Sequence, residues 1–130
     1  MNGRVEFGAI LTSRPHESAV HRIRGMQLSQ VWFVRDYIML HFDDECSLTV
    51  GGPISVIRSG QTKAFGEPSF RDSLCECIDS SVTDVEWRES QFIRIAFDNG
   101  TELRLSIRSE DYVSPEIGVL RFKDGSLEIW

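Results

Sequence analysis

The sequence predicts an α+β domain that is mainly antiparallel β: a curved sheet or partly open barrel of roughly seven to nine strands, built from repeated hairpins, with one short helix packed against it. Three observations carry this. Ile93, Ile95 and Phe97, then Leu103, Leu105 and Ile107, alternate at period two on either side of the turn Asp98-Asn99-Gly100, which is the pattern of a hairpin with one buried face. The pattern recurs in Ile38, Leu40, Phe42, the turn Asp43-Asp44-Glu45, and Leu48 and Val50, and in shorter form in Leu120, Phe122, the turn Lys123 to Ser126, and Leu127 and Ile129. Helical periodicity is convincing only from Ser69 to Ser80, where Phe70, Leu74, Cys77 and Ile78 fall at i, i+4, i+7 and i+8.

Taken in order, Arg4 to Leu11 reads as a strand with Val5, Phe7, Ala9 and Leu11 on one face. Thr12 to Gly25 is either a short helix capped by Ser13, with Pro15 in its first turn and Ala19, Val20 and Ile23 as its stripe, or a loop; Gly25 ends it. Leu28 to Arg35 leads into the first hairpin and puts Trp32 and Phe33 on opposite faces, one ring for the core and one for a second layer or an interface. Gly51-Gly52-Pro53 breaks the chain before Ile54, Val56 and Ile57 and marks a bulge or a sharp bend. Arg58 to Pro68, with Gly60, Gly66 and little alternation, reads as loop. The helix follows, with Ser69 and Asp72 as a weakened capping box, and Val82, Val85 and Trp87 then match Leu28, Val31 and Phe33 with a one-residue slip before the hairpin. Arg108 to Tyr112 is polar and belongs to the surface. Val113-Ser114-Pro115-Glu116 opens the last hairpin, and Trp130 should dock on the sheet or on another chain.

The 130 residues make a single domain, 1–130, with internal copies at about 28–57, 82–107 and 117–130. A chain of this length hides roughly two-thirds of its unfolded surface, so its core requires neither metal nor disulfide. The net charge of −6, with only Lys63 and Lys123 as lysines, repels phosphate backbones, and no basic stripe with interleaved aromatics offsets it. No apolar run is long enough for a bilayer, and Met1-Asn2-Gly3-Arg4 lacks the features of a secretory signal; the expected compartment is the cytoplasm. The three cysteines, Cys46 and the Cys75-x-Cys77 pair, have no framework spacing and no second ligand pair, so no metal or cofactor is expected.

Catalytic patterns are missing: there is no nucleophile elbow and no phosphate-cradling glycine loop. Asp43-Asp44-Glu45 could supply paired carboxylates, but it stands where the other hairpins have their turns, and turn geometry accounts for acid there. His41, between Leu40 and Phe42, must point away from the buried face. The candidate partner-binding residues are therefore acidic and aromatic: Glu110, Asp111 and Glu116 flanking the last loop, together with Trp130 and Trp32.

Leu28-x-x-Val31 followed by Ile38-x-Leu40-x-Phe42-Asp43-Asp44, and the later Ser114-Pro115-Glu116 before a strand ending at Trp130, resemble small bacterial β-rich domains, some of them similar to immunity proteins of polymorphic-toxin systems. The likeness covers mainly residues 28 to 130, and the first hairpin departs from it by carrying Glu45 where glycine would be expected. It implies a non-catalytic cytoplasmic protein that binds and neutralises a cognate toxin, and the acidic charge balance adds the expectation that this partner is basic. The rival expectation is a ligand-binding or enzymatic domain with a cavity inside the curved sheet, lined by His41, Trp32 or Trp87. Homodimerisation through an edge strand or Trp130 is the third.

Overall fold

The computed structural model describes residues 18–108, 110 and 118–130. A 3-10 helix, Ala19–Ile23, precedes strands β1 (Leu28–Val34), β2 (Tyr37–Phe42), β3 (Cys46–Val50), β4 (Ile54–Arg58) and β5 (Gln61–Ala64). Helix α1 (Phe70–Cys75) then leads to β6 (Val82–Arg88), β7 (Phe92–Phe97), β8 (Glu102–Ser106), β9 (Gly118–Phe122) and β10 (Leu127–Ile129). The strands form two five-stranded antiparallel sheets, in the orders β10-β9-β3-β2-β1 and β5-β4-β8-β7-β6. Neither sheet closes into a barrel. The expected mainly antiparallel architecture with one short helix is the one observed. The expected strand at Arg4 to Leu11, the stretch Val113 to Glu116 expected to open the last hairpin, and the first part of Thr12 to Gly25 lie outside the described residues.

Period-two alternation builds the core. Phe42, Leu40, Ile93, Ile95, Leu103 and Leu120 are wholly or almost wholly buried, and the inner faces of both sheets join one apolar cluster with Val20, Ile23, Phe70, Leu74 and Cys77 from the two helical segments. Each large side chain so buried contributes about 1.5–3 kcal/mol. Phe42, Phe97 and Phe122 each precede a turn, and in each turn the N–H three residues on, of Glu45, Gly100 and Gly125, donates to that phenylalanine's carbonyl. Gly100 and Gly125 take positive φ in these turns, whereas in the first hairpin it is Asp43 that does so (φ 51°), which is how Glu45 occupies the glycine's place.

The two long copies are related by a two-fold arrangement that reaches down to single hydrogen bonds. Gln27 and Ser81 form an isolated antiparallel bridge. Around it, Leu28 N–H donates to Ser80 O and Val82 N–H to Met26 O, while Gly25 N–H donates to Val82 O and Asp79 N–H to Leu28 O. Both copies carry a bulge at the same place, between Leu28 and Gln30 and between Val82 and Asp84. The bulged Ser29 and Thr83 each donate a hydroxyl to the strand opposite, at His41 O and Ala96 O. The one-residue slip has a simple origin: two residues separate Val34 from its partner Tyr37, but three separate Arg88 from Phe92.

Each copy also gives a hairpin to the other. Hairpin β4–β5 follows the first sheet's meander yet pairs with β8 of the second; β9–β10 follows the second meander yet pairs with β3 of the first. The bend at Gly51-Gly52-Pro53 is the crossing between sheets. Hairpin β9–β10 therefore holds in the first sheet the place that β4–β5 holds in the second. The helical segments brace these crossings. Arg22 pairs with Asp124 at 3.0 Å and lies 3.8 Å from the Phe122 ring, while Glu76 pairs with Arg58 and Phe70 meets Phe65 edge-on at 5.6 Å.

Two expectations are corrected. The helix expected over Ser69 to Ser80 stops at Cys75, and its capping box is not formed: Ser69 has φ 72° and makes no side-chain cap bond. Beyond Cys75 the chain tightens into three-residue turns, Cys77 N–H to Leu74 O, Ile78 to Cys75 and Ser80 to Cys77, because Asp79 N–H is claimed by Leu28 across the two-fold bridge. The stretch Arg58 to Pro68, expected to be loop, contains β5, joined to β4 by Ser59-Gly60 with φ 53° and 77°. Two positive φ angles make this the tight turn that suits hairpin twist. Its strand escaped detection because Gln61 and Thr62 are polar and exposed on an edge.

Candidate functional site

The partner-binding residues expected from sequence are dispersed. Trp32 stands on the outer face of the first sheet, 47% exposed, its ring 4.4 Å from that of His41 and its Nε1 donating to Gln30 Oε1 at 2.8 Å. Trp130 lies on the opposite, inner side. Its backbone N–H donates to Gly118 O at 2.9 Å, and its ring packs so closely over Gly118 that a Cβ there would sit 3.2 Å from Cε3. This is an aromatic side chain covering a strand glycine, a docking against the sheet itself. Glu110 is exposed and paired with Arg108; Asp111 and Glu116 lie outside the described residues. His41 does point away from the core, and its Nε2 is buried beneath the outer face with no hydrogen-bond partner among the described residues.

Pairing registers show what surrounds Trp32. One row crosses the whole first sheet: Trp32 opposite Met39, Met39 opposite Thr49, Thr49 opposite Val119, and Val119 opposite Ile129. At the usual strand spacing that row is about 19 Å long. Val34 and Tyr37 extend it on one side and Leu127 on the other, and Trp32, Val34, Tyr37, Leu127 and Ile129 are between 38% and 49% exposed. The equivalent row of the second sheet reads Glu86, Arg94, Arg104, Ser55 and Ala64. The same scaffold thus carries an uncharged, largely apolar row on the outer face of one sheet, beside the polar row Gln30, His41, Ser47 and Arg121, and a charged row in the other.

The charged face is a lattice of ion pairs. Arg94 meets Asp84 at 2.7 Å, Glu86 at 3.0 Å and Glu102 at 3.6 Å, with Arg88 on Glu86, Arg24 on Asp84 and Arg104 on Glu102. The hydrogen bond from Arg94 holds Asp84 below the usual carboxylate range, and Arg88, then Arg94, does the same for Glu86. Beside this lattice a cleft of about 570 Å³ opens on the outer surface, lined by Pro53, Ser55, Gln91, Phe92, Arg104, Ser106 and Arg108. It lies outside the apolar core, and none of His41, Trp32 and Trp87 lines it. Sequence reading missed these residues. Aligning the two copies position by position would have flagged Arg94 and Arg104, which stand where the first copy has Met39 and Thr49.

The thiols are poor nucleophiles. Burial pushes Cys46 up to about 11 and raises Cys75 and Cys77 as well, and Cys75 is exposed whereas Cys77 is buried, so the C-x-C pair does not face one site. Asp43 is spent on its turn, accepting the Gln27 N–H at 3.2 Å, as Asp98 accepts that of Ser81. No protein-family model matches the chain, and no curated protein or solved structure matches it either.

Proposed function

We propose that this chain is a non-catalytic protein-binding domain of the immunity type, which docks a basic, toxin-like partner in the bacterial cytoplasm on the outer face of its first sheet. The observation that carries this reading is the row from Trp32 to Ile129, which is apolar but for Thr49 and carries no charge, where the second sheet, on the same template, has Glu86, Arg94 and Arg104. An exposed sheet face with a tryptophan at its edge and methionine at its middle is the composition of a binding surface. The partner's charge follows from the rim. The turn Asp43-Asp44-Glu45 is exposed at one end of the face, Asp36 stands beside Arg35 at the other, and Arg121 is exposed on the face next to Leu127, so the acidic bias comes from the first turn and from the net charge of −6. Those carboxylates steer a basic surface toward the apolar strip without themselves being buried.

The test is co-purification with the protein encoded by the neighbouring gene, using wild type, Trp32→Asp and Ile129→Asp, each checked for its fold by circular dichroism. Wild type should hold the partner and both variants should lose at least about 100-fold in affinity, as expected when an apolar hot spot is replaced by a charge. Variants that bind as wild type does would remove the face from the proposal, and a neighbour that none of the proteins binds would remove the immunity reading. Light scattering provides the remaining check: a wild-type dimer that Trp32→Asp turns into a monomer would assign the face to a second copy of this chain.

A further inference from the structure

The cleft on the second sheet is a separate feature from the docking face, and its chemistry is different. Of its described lining residues only Arg104 and Arg108 are charged, and both are guanidinium groups. Arg104 lies 4.7 Å over the Phe92 ring and makes a single 3.3 Å contact with Glu102 through Nη2. A guanidinium has five N–H donors in a fixed fork, so this contact leaves donors directed elsewhere, while stacking on Phe92 holds the plane in place. Arg108 flanks the same cleft and is anchored by Glu110. Ser55, Ser106 and Gln91 add polar side chains, and Phe92 and Pro53 add apolar surface.

The repeat gives an independent argument. In the first copy the positions matching Arg104, Phe92 and Ser106 are Thr49, Tyr37 and Gly51, so the template does not itself demand paired guanidinium groups there. The volume is within the range of small-molecule sites and far beyond that of a bare ion. The Arg104 guanidinium, with donors left over from its contact with Glu102, selects an oxyanion, Arg108 adds a second cation that already carries Glu110, and the remaining walls accommodate a flat apolar group.

We propose that this cleft binds a small organic anion, a phosphate or carboxylate joined to a flat apolar group, with the oxyanion on Arg104, the Arg108–Glu110 pair beside it, and the apolar part against Phe92 and Pro53. The site is independent of the protein-docking face and stands or falls without it. The experiment is a titration of the isotopically labelled full chain, followed by two-dimensional NMR, with four probes: phenyl phosphate, benzoate, inorganic phosphate and benzyl alcohol. Phenyl phosphate or benzoate should shift the Arg104 and Arg108 Nε–H, Gln91 and Phe92 signals saturably, and the anion alone and the ring alone should bind at least about tenfold more weakly. Arg104→Gln and Arg108→Gln should each weaken binding by about tenfold or more while the rest of the spectrum keeps its dispersion, and Trp32→Asp should leave it unchanged. No saturable shift up to about 10 mM, shifts unaltered in Arg104→Gln, or inorganic phosphate binding as tightly as phenyl phosphate would each overturn the assignment.

Discussion

Replacing Glu128 tests the brace that holds the exchanged hairpin β9–β10 to the start of the described chain. Glu128 Oε1 accepts two hydrogen bonds, from Ser18 Oγ at 2.8 Å and Ala19 N–H at 2.7 Å, across more than a hundred residues of sequence. Ser18 is 5% exposed, so removing the carboxylate leaves its hydroxyl and the Ala19 N–H with no replacement partner among the described residues. Two such bonds at about 1–1.5 kcal/mol each put the cost of Glu128→Ala near 2–3 kcal/mol. Glu128→Gln keeps the acceptor and removes the charge, and should fall within about 1 kcal/mol of wild type. The sign with pH follows from burial, which raises the Glu128 pKa, with Ser18 and Ala19 opposing it. A carboxyl whose folded pKa is raised favours the folded state while protonated. Its contribution is full below the unfolded value of about 4.5 and is lost as pH rises through the folded pKa. Wild type should therefore lose stability relative to Glu128→Gln on going from about pH 4 to about pH 7. Urea unfolding followed by tryptophan emission, repeated across that interval, measures both effects. Glu128→Ala as stable as wild type, or a difference from Glu128→Gln that runs the other way with pH, would refute the reasoning.

Two further outcomes follow from the same crossings. Asp124 is held down to about 2 by hydrogen bonds from the Ser126 hydroxyl and N–H and then by Arg22. Its stabilisation is present above the unfolded value of about 4 and is lost as pH falls toward about 2, so Asp124→Asn should flatten that part of an acid-unfolding curve, by less than about 1 kcal/mol given its exposure. Gly118→Val places a branched side chain where Trp130 Cε3 stands 3.2 Å and Thr49 O 3.4 Å from a Cβ position, so the indole must shift to admit it. A loss of about 1–3 kcal/mol with a red-shifted tryptophan emission is expected, and an unshifted emission would contradict the packing described.

Strand alternation and turn chemistry determined much of this protein before any tertiary contact is considered. Phe42, Phe97 and Phe122 before their turns, the two matched copies, the single-residue slip between them and the bend at Gly51-Gly52-Pro53 all depend on period-two burial and on local backbone preferences, which one stretch of chain expresses alone. What sequence left undetermined has a common cause. The exchange of β4–β5 and β9–β10 between sheets, the early end of α1 and the edge strand β5 are settled by hydrogen-bond partners far away in the chain, such as Leu28 for Asp79, and no local period encodes a distant partner. The candidate sites divide in the same way. Trp32 could be named as an interface residue from its alternation with Phe33, but the strip it belongs to and the cleft around Arg104 exist only because pairing lays residues from different strands side by side.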